Sequence, residues 1–437
     1  MQILGIILGF AILIYVTYKN WSVYLASFLA SVVVILCAGL PLTETIAQSY
    51  IGGIGAIFTS LFGMFLFGSV MAKIYAVSGA ASSIANTLCG TFLKDSGSEN
   101  KKQIMGILVV IFASAIICYG GINAAIVIIT IYPIALAVFE RCNIPKRFAP
   151  GVILGGCCTF ALSGPGAPQP TNMIPSQILG TSPAAGLVPG IVGIVVEVIV
   201  MVLVLNRMIS NAKAKGESFA YGSKDSVTAS DRAVPGFWIS LIPLVVLFVM
   251  FNVFSVNIIF CTLISSVLSL VLFYKYMDKD KIKSYVNEGF LSALTPVGSI
   301  GAVFGFATCV QKVPAFQNIV DAVLGIEVSP LLLCVISVAF LCALTGGSTT
   351  GQSIVLPIVQ PILESKGLAA SVMHRIATFA ATTLDSLPHS GTILMTVTYS
   401  DLKMKDSYPA IFVTTTIATT VATAVVTLLL WLFPWMA

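Results

Sequence analysis

Three ionisable side chains stand where the chain is otherwise apolar. Asp385 and His389 share the segment DSLPHSG, and Glu197 is a lone carboxylate in GIVVEVIVMV. An ionisable group at membrane depth is costly and marks a proton relay or a substrate path by default. A carboxyl beside a cavity and an imidazole are both suited to carrying a proton. Asp385 and His389 therefore read as a proton-coupling pair and Glu197 as a second proton carrier. The bland alternatives are a pair that pins an unwound segment and, for Glu197, an interior hydrogen bond to a neighbouring helix. Glu140, Arg141, Lys312, Glu364 and Arg375 fall at the ends of apolar runs and read as interfacial. The other histidine, His374, lies near the outer end of the helix that carries Asp385.

Four clusters of small and polar residues interrupt apolar stretches. Two lie at the tips of predicted hairpins: Gly120, Gly121, Asn123 and Ala124 in the first, and Gly346, Gly347, Ser348, Thr349 and Thr350 in the second. Two break a span in its middle, at Ser163-Gly164-Pro165-Gly166-Ala167-Pro168 and at Asp385 through Gly391, which includes Ser386 and Ser390. Unpaired backbone in lipid costs several kcal/mol per group, so such breaks survive only against protein or a water-filled cavity. Helix N-termini at these breaks suit a carboxylate, while free carbonyls and hydroxyl oxygens suit a cation. The substrate-site candidates are Gly121, Asn123, Ser163, Gly164, Gly166, Gln169, Asn172, Gly347, Ser348, Thr349, Thr350, Ser386 and Ser390. A single Gly-Pro pair is more simply a packing kink; four in matched positions point to a site.

The elements that must position these residues follow from composition. Of 437 residues 57% are apolar and 9% charged, too few charges for the surface of soluble domains of that size. Charge blocks and basic clusters are lacking, which argues against disorder and nucleic-acid binding. The expected fold is an all-α integral membrane protein with about 10 spanning helices, two helical hairpins and two broken helices. The N-terminal stretch MQILGIILGFAILIYV reads as a retained first span. Most cysteines sit in apolar runs without C-x-x-C spacing and read as buried hydrophobes, with no metal site implied. Counting Lys and Arg over the alternating spans puts 19 on one face and 3 on the other. That split places the N- and C-termini outside and the polar linker 206–235 in the cytoplasm.

The two halves of the chain echo one another. Gly121 matches Gly347, Pro133 matches Pro357 and Pro165 matches Pro388, at offsets of 226, 224 and 223 residues. An odd number of crossings per half inverts the second copy. The expected organisation is a first inverted repeat at 1–205 with hairpin 104–139 and broken helix 150–179. A second inverted repeat follows at 236–437, with hairpin 330–363 and broken helix 369–400. This is the architecture of secondary transporters.

The segment LSGPGAPQPTNMIPSQILGTSPAAG, with the GGxNxA hairpin and the DSLPHSG break, resembles the gluconate permease (GntP) family of bacterial proton-coupled organic-acid symporters, within the ion transporter superfamily. The resemblance spans nearly the whole chain. It implies alternating access, with hairpins and broken helices as a mobile unit sliding elevator-fashion on a scaffold, in a homodimer of the bacterial inner membrane. The first break carries Gln169 and is less His- and Pro-rich than in the gluconate branch. A gluconate-like sugar acid and a short hydroxy or carboxylic acid both stay open as the small organic anion. No cofactor is expected beyond H+ as coupling ion, with Na+ the rival, either in carboxylate symport or in Na+/H+ antiport. A distant alternative from another class is an intramembrane serine hydrolase using Ser348 and His389; no H-E-x-x-H motif is present.

Overall fold

In the computed structural model, residues 1–18, 21–92, 97–222, 233–254, 256–316, 318, 329–388 and 390–437 are described. Their regular structure is helical, with no strand among them. The helices are α1 (Gln2–Tyr18), α2 (Val23–Ala38), α3 (Leu42–Ser78, with a π turn at Ile46–Ile51), α4 (Ala80–Phe92), α5 (Glu99–Tyr119) and α6 (Ala124–Cys142). Then come α7 (Ala149–Cys157), α8 (Phe160–Ser163), α9 (Pro170–Leu179) and α10 (Leu187–Ala214). The second half contains α11 (Phe237–Asn252), α12 (Ile258–Phe273), α13 (Ile282–Ser292), α14 (Leu294–Gln311), α15 (Pro330–Thr345), α16 (Ser348–Ser365), α17 (Ala370–Ala381), α18 (Gly391–Tyr399) and α19 (Met404–Leu432).

Among the described residues, seven helical stretches are long and apolar enough to cross a membrane, and α2, α11 and parts of α1 and α15 are apolar but shorter. Helix ends follow local signals. Ser22 caps α2 by accepting from the Tyr24 amide at 3.3 Å, Ser98 caps α5 from Lys101 at 3.2 Å, and Asn123 caps α6 from Ala125 at 2.9 Å. Glycines in left-handed conformation close α2 at Gly39 and α15 at Gly346. Side-chain burial is inverted relative to a soluble helix. On α10 the face bearing Leu187, Ile191, Val195 and Leu203 is exposed, while Gly193, Glu197 and Met201 on the opposite face are buried. An apolar exterior around a buried carboxylate is the pattern of a helix facing hydrocarbon.

The helices pack in two groups. In one, α3 lies against α12, α13 and α14, α14 against α2, and α1 pairs with α2. In the other, α5 pairs with α6 and both pack on α7, α15 pairs with α16 and rests on α17, and α10 packs along α19. Small residues allow close approach, as in soluble and membrane bundles alike. At the α3–α14 crossing, a Cβ added to Gly53 would sit 2.8 Å from the Gly305 Cα. The groups meet where α14 packs on α16 and where α11 packs on α4.

Three features depart from the sequence expectation. An additional helix, α4, fills the segment before the first hairpin. The polar stretch from Asn206 begins as helix, since α10 continues to Ala214; there Gln103 donates to the Asn206 carbonyl and side chain at 2.9 and 2.8 Å and tethers the helix end. Finally, Arg375 is not interfacial: it is fully buried in the helical interior.

Candidate functional site

The first break is built by sequence chemistry that helix cannot accommodate. After the single turn of α8 the chain runs extended through Gly164, turns at Gly166 with φ +73°, and resumes helix at Pro170, which needs no amide partner in a first turn. The Gly166 amide donates to the Pro183 carbonyl at 2.9 Å. A Cβ at Gly166 would lie 2.2 Å from Asn252 Oδ1, and Asn252 Nδ2 in turn donates to the Gly166 carbonyl at 3.2 Å. The end of α11 thus grips the break directly.

Gln169 ties this break to the first hairpin tip. Its amide donates to the carbonyls of Cys118 and Ile122, the latter at 3.3 Å, just where α5 ends and Gly121 turns with φ +94°. Gly121, Asn123 and Gln169 line one cavity of about 350 Å³, walled by Met64, Phe65 and Ser69 of α3 and by Thr262, Ser292 and Thr295. The cavity therefore lies between the two helix groups.

The second hairpin tip meets both breaks. Ser348, first residue of α16, has its hydroxyl 3.1 Å from that of Thr171 in the first turn of α9. The Ser348 hydroxyl and amide also face the carboxyl of Asp385, whose Oδ1 accepts from Ser386 at 2.9 Å. Asp385, Ser386 and Ser348 are all buried. Gln352, one turn further along α16, donates to the Ala377 carbonyl at 3.1 Å, while its Oε1 is buried with no partner among the described residues.

On the other side of the first break lies a network centred on Asn172. Its Nδ2 donates to the carbonyls of Ala167 and Pro183 at 3.0 and 2.9 Å, which turns Oδ1 toward the second half of the chain. There it faces His374 Nε2 at 3.0 Å, so that nitrogen carries the proton; Nδ1, 2.6 Å from the Thr181 hydroxyl, accepts. Arg375 donates to the carbonyls of Ser163, Ala185 and Pro183 at 2.5, 2.7 and 3.1 Å, and to the Thr378 hydroxyl at 3.2 Å.

The sequence candidates thus fall into separate places. Gly121, Asn123 and Gln169 share the cavity; Ser348, Asp385 and Ser386 form a buried oxygen cluster; Ser163 and Asn172 join Arg375 and His374. Gly164 and Gly166 shape the break without lining that cavity, and Gly347, Thr349, Thr350 and Ser390 lie on the second tip and break, also away from it. Glu197 stands apart. Thr159 and the Phe160 backbone are its polar neighbours, and among the described residues neither carboxyl oxygen has a partner in good hydrogen-bond geometry. His389 lies outside the described residues. Sequence reasoning missed Thr171, although it sits inside the QPTN motif, and assigned Arg375 to the interface. The usable signal for Arg375 was an arginine within a span, which marks an interior site by default.

A family described as GntP family permease matches residues 1–273. The chain belongs to the GntP permease family. The matched stretch covers the first hairpin and first break and ends before the second pair. The uncharacterized transporter YxjC of Bacillus subtilis (strain 168) is 24% identical over 466 aligned positions, which cover 95% of this chain and 96% of that one. Among solved structures, the Alcanivorax borkumensis YdaH transporter superposes with a TM-score of 0.55 at 11% identity, over 90% of this chain and 89% of that one. At that identity the likeness concerns the fold. This GntP family member is accordingly a multi-pass membrane transporter. Family membership points to transport rather than enzyme chemistry at Ser348.

Proposed function

We propose that this permease carries a small organic anion together with protons by alternating access. The observation that carries the reading is the junction at Asp385: a buried carboxyl held by the second break, faced by the second hairpin tip through Ser348, and connected through Ser348 to Thr171 of the first break. A group so placed changes its surroundings whenever the tips and breaks move, which is what ion coupling requires. The substrate would enter the cavity at Gly121, Asn123 and Gln169, where the N-terminal end of α6 offers a positive dipole to a carboxylate.

The order of helices supports an inverted repeat. The series α1, α2, α3–α4, hairpin, broken helix, α10 is followed by α11, α12, α13–α14, hairpin, broken helix, α19. On this reading the α5–α9 and α15–α18 elements form the moving unit, α1–α3 and α11–α14 the scaffold, and the slide is elevator-like. The chain would sit as a homodimer in the bacterial inner membrane, termini outside and linker 206–235 in the cytoplasm. Purified protein in liposomes under an imposed inward proton gradient should accumulate a labelled carboxylate. Absence of gradient-dependent accumulation across a panel of sugar acids and short hydroxy acids would refute the reading.

Sodium coupling is the second reading, favoured by the oxygens that gather at one place: the Asp385 carboxyl with the Ser386, Ser348 and Thr171 hydroxyls. Replacing Na+ by choline at fixed pH decides, since unchanged uptake removes it.

A further inference from the structure

Arg375 is one of the largest fully buried side chains, at 0% exposure. Each of its hydrogen bonds goes to a neutral acceptor: the carbonyls of Ser163, Pro183 and Ala185, the Thr378 hydroxyl at 3.2 Å and, at 3.5 Å, the Asn172 amide oxygen. Among the described residues no carboxylate pairs with it. The packing around it is tailored. Gly186, at φ +62°, leaves no room for a Cβ, which would meet the arginine Cβ at 2.7 Å. Gly190 likewise seats Pro165 and approaches the Arg375 Cδ. The neighbouring imidazole, His374, is bonded through both nitrogens to Thr181 and Asn172.

Carbonyl dipoles solvate a guanidinium but do not cancel its charge. Left without a counter-ion in a low-dielectric interior, a full positive charge raises the potential over its surroundings. Here those surroundings are the first break and the start of α9, which also carry Gln169. A purely mechanical pin for the break would need donors only, and a neutral amide would serve at far lower desolvation cost.

We propose that Arg375 is a specificity-determining residue: its uncompensated charge beside the first break makes the site accept carboxylates and reject neutral analogues. It acts through the potential and through the break it holds, and need not touch the substrate. The inference rests on the anion-transport reading above. A full charge on the order of 10 Å from a ligand carboxylate, at an effective dielectric of about 20, changes affinity roughly tenfold.

The test neutralises the charge without removing the arginine. Thr378 sits one turn along α17 with its hydroxyl on the guanidinium, so Thr378→Asp supplies the missing carboxylate and Thr378→Asn is the neutral control. Both would be measured by transport in proteoliposomes and by thermal unfolding, with Arg375→Lys and Arg375→Gln alongside. Expected is a KM for the carboxylate raised roughly tenfold or more in Thr378→Asp, with unfolding unchanged or shifted upward, and near-normal KM in Thr378→Asn. Arg375→Lys should retain carboxylate uptake better than Arg375→Gln. Equal behaviour of Thr378→Asp and Thr378→Asn, or equal loss in Arg375→Lys and Arg375→Gln, would overturn the proposal and leave Arg375 a structural pin. If Thr378→Asp does not fold, the Arg375 pair decides alone. A wild-type protein that moves no carboxylate refutes the anion reading instead, a separately visible result.

Discussion

The hydroxyls of Thr171 and Ser348 lie 3.1 Å apart although 177 residues separate them in the chain. Thr171 lies in the first turn of α9, just after the first break, and Ser348 begins α16, just after the second hairpin tip. Their contact joins the cavity side of the molecule, through Gln169, to the carboxyl of Asp385. A displacement of either hairpin tip therefore alters the surroundings of that carboxyl.

Asp385→Asn should remove the titratable group while keeping an acceptor for Ser386. Gradient-driven uptake is expected to fall by roughly two orders of magnitude, as removal of a proton carrier does. Exchange of labelled for unlabelled substrate across the membrane, which needs no net proton movement, should survive. Loss of both in a protein with normal thermal unfolding would show that Asp385 binds substrate rather than the coupling ion.

Gln169→Ala leaves the carbonyls of Cys118 and Ile122 without their shared donor. The Cys118 carbonyl keeps the Gly121 amide at 2.9 Å, while the Ile122 carbonyl loses this donor at a cost of about 1–3 kcal/mol, so unfolding should shift downward measurably. Because Gln169 also lines the cavity, KM should rise on the order of tenfold. A KM unchanged in the folded variant would place substrate elsewhere.

Gly166→Ala meets two obstacles, a positive φ and the Asn252 amide 2.2 Å from the new Cβ. A destabilisation of about 2 kcal/mol or more is expected. In the double variant with Asn252→Ala the collision disappears and the φ strain stays, so only part of the loss should return. Full additivity of the two single effects in thermal unfolding would contradict the contact.

Glu197→Gln preserves shape at a carboxyl whose oxygens have no partner in good hydrogen-bond geometry among the described residues. The protein should fold as well as wild type to within about 1 kcal/mol. If Glu197 carries a proton, the pH dependence of uptake should flatten and the number of protons per substrate, read from reversal potentials, should drop. Identical pH profiles for variant and wild type would leave Glu197 without a coupling role.

Orientation is accessible to labelling. The exposed turn at Gly216 follows α10, in the stretch assigned to the cytoplasm. Gly216→Cys should react with a membrane-impermeant maleimide in inside-out vesicles and stay unlabelled in intact cells. Labelling in intact cells would invert the topology.

Composition alone determined that this chain belongs in a bilayer, because so few charged residues cannot cover a water-exposed surface. The positions of the breaks at 163–169 and 385–391 were equally legible, since glycine and proline state locally, through φ and the missing amide, where helix must stop. Tertiary structure decided which polar groups meet. Ser163 and Asn172 find Arg375 across more than 200 residues, and Thr171 finds Ser348, contacts that carry no period and no local propensity. Arg375 shows the limit most sharply. Its position near a span end suggested an interface, whereas the partners that let a charge stay buried are carbonyls of a distant turn, and backbone carbonyls leave no mark in a sequence.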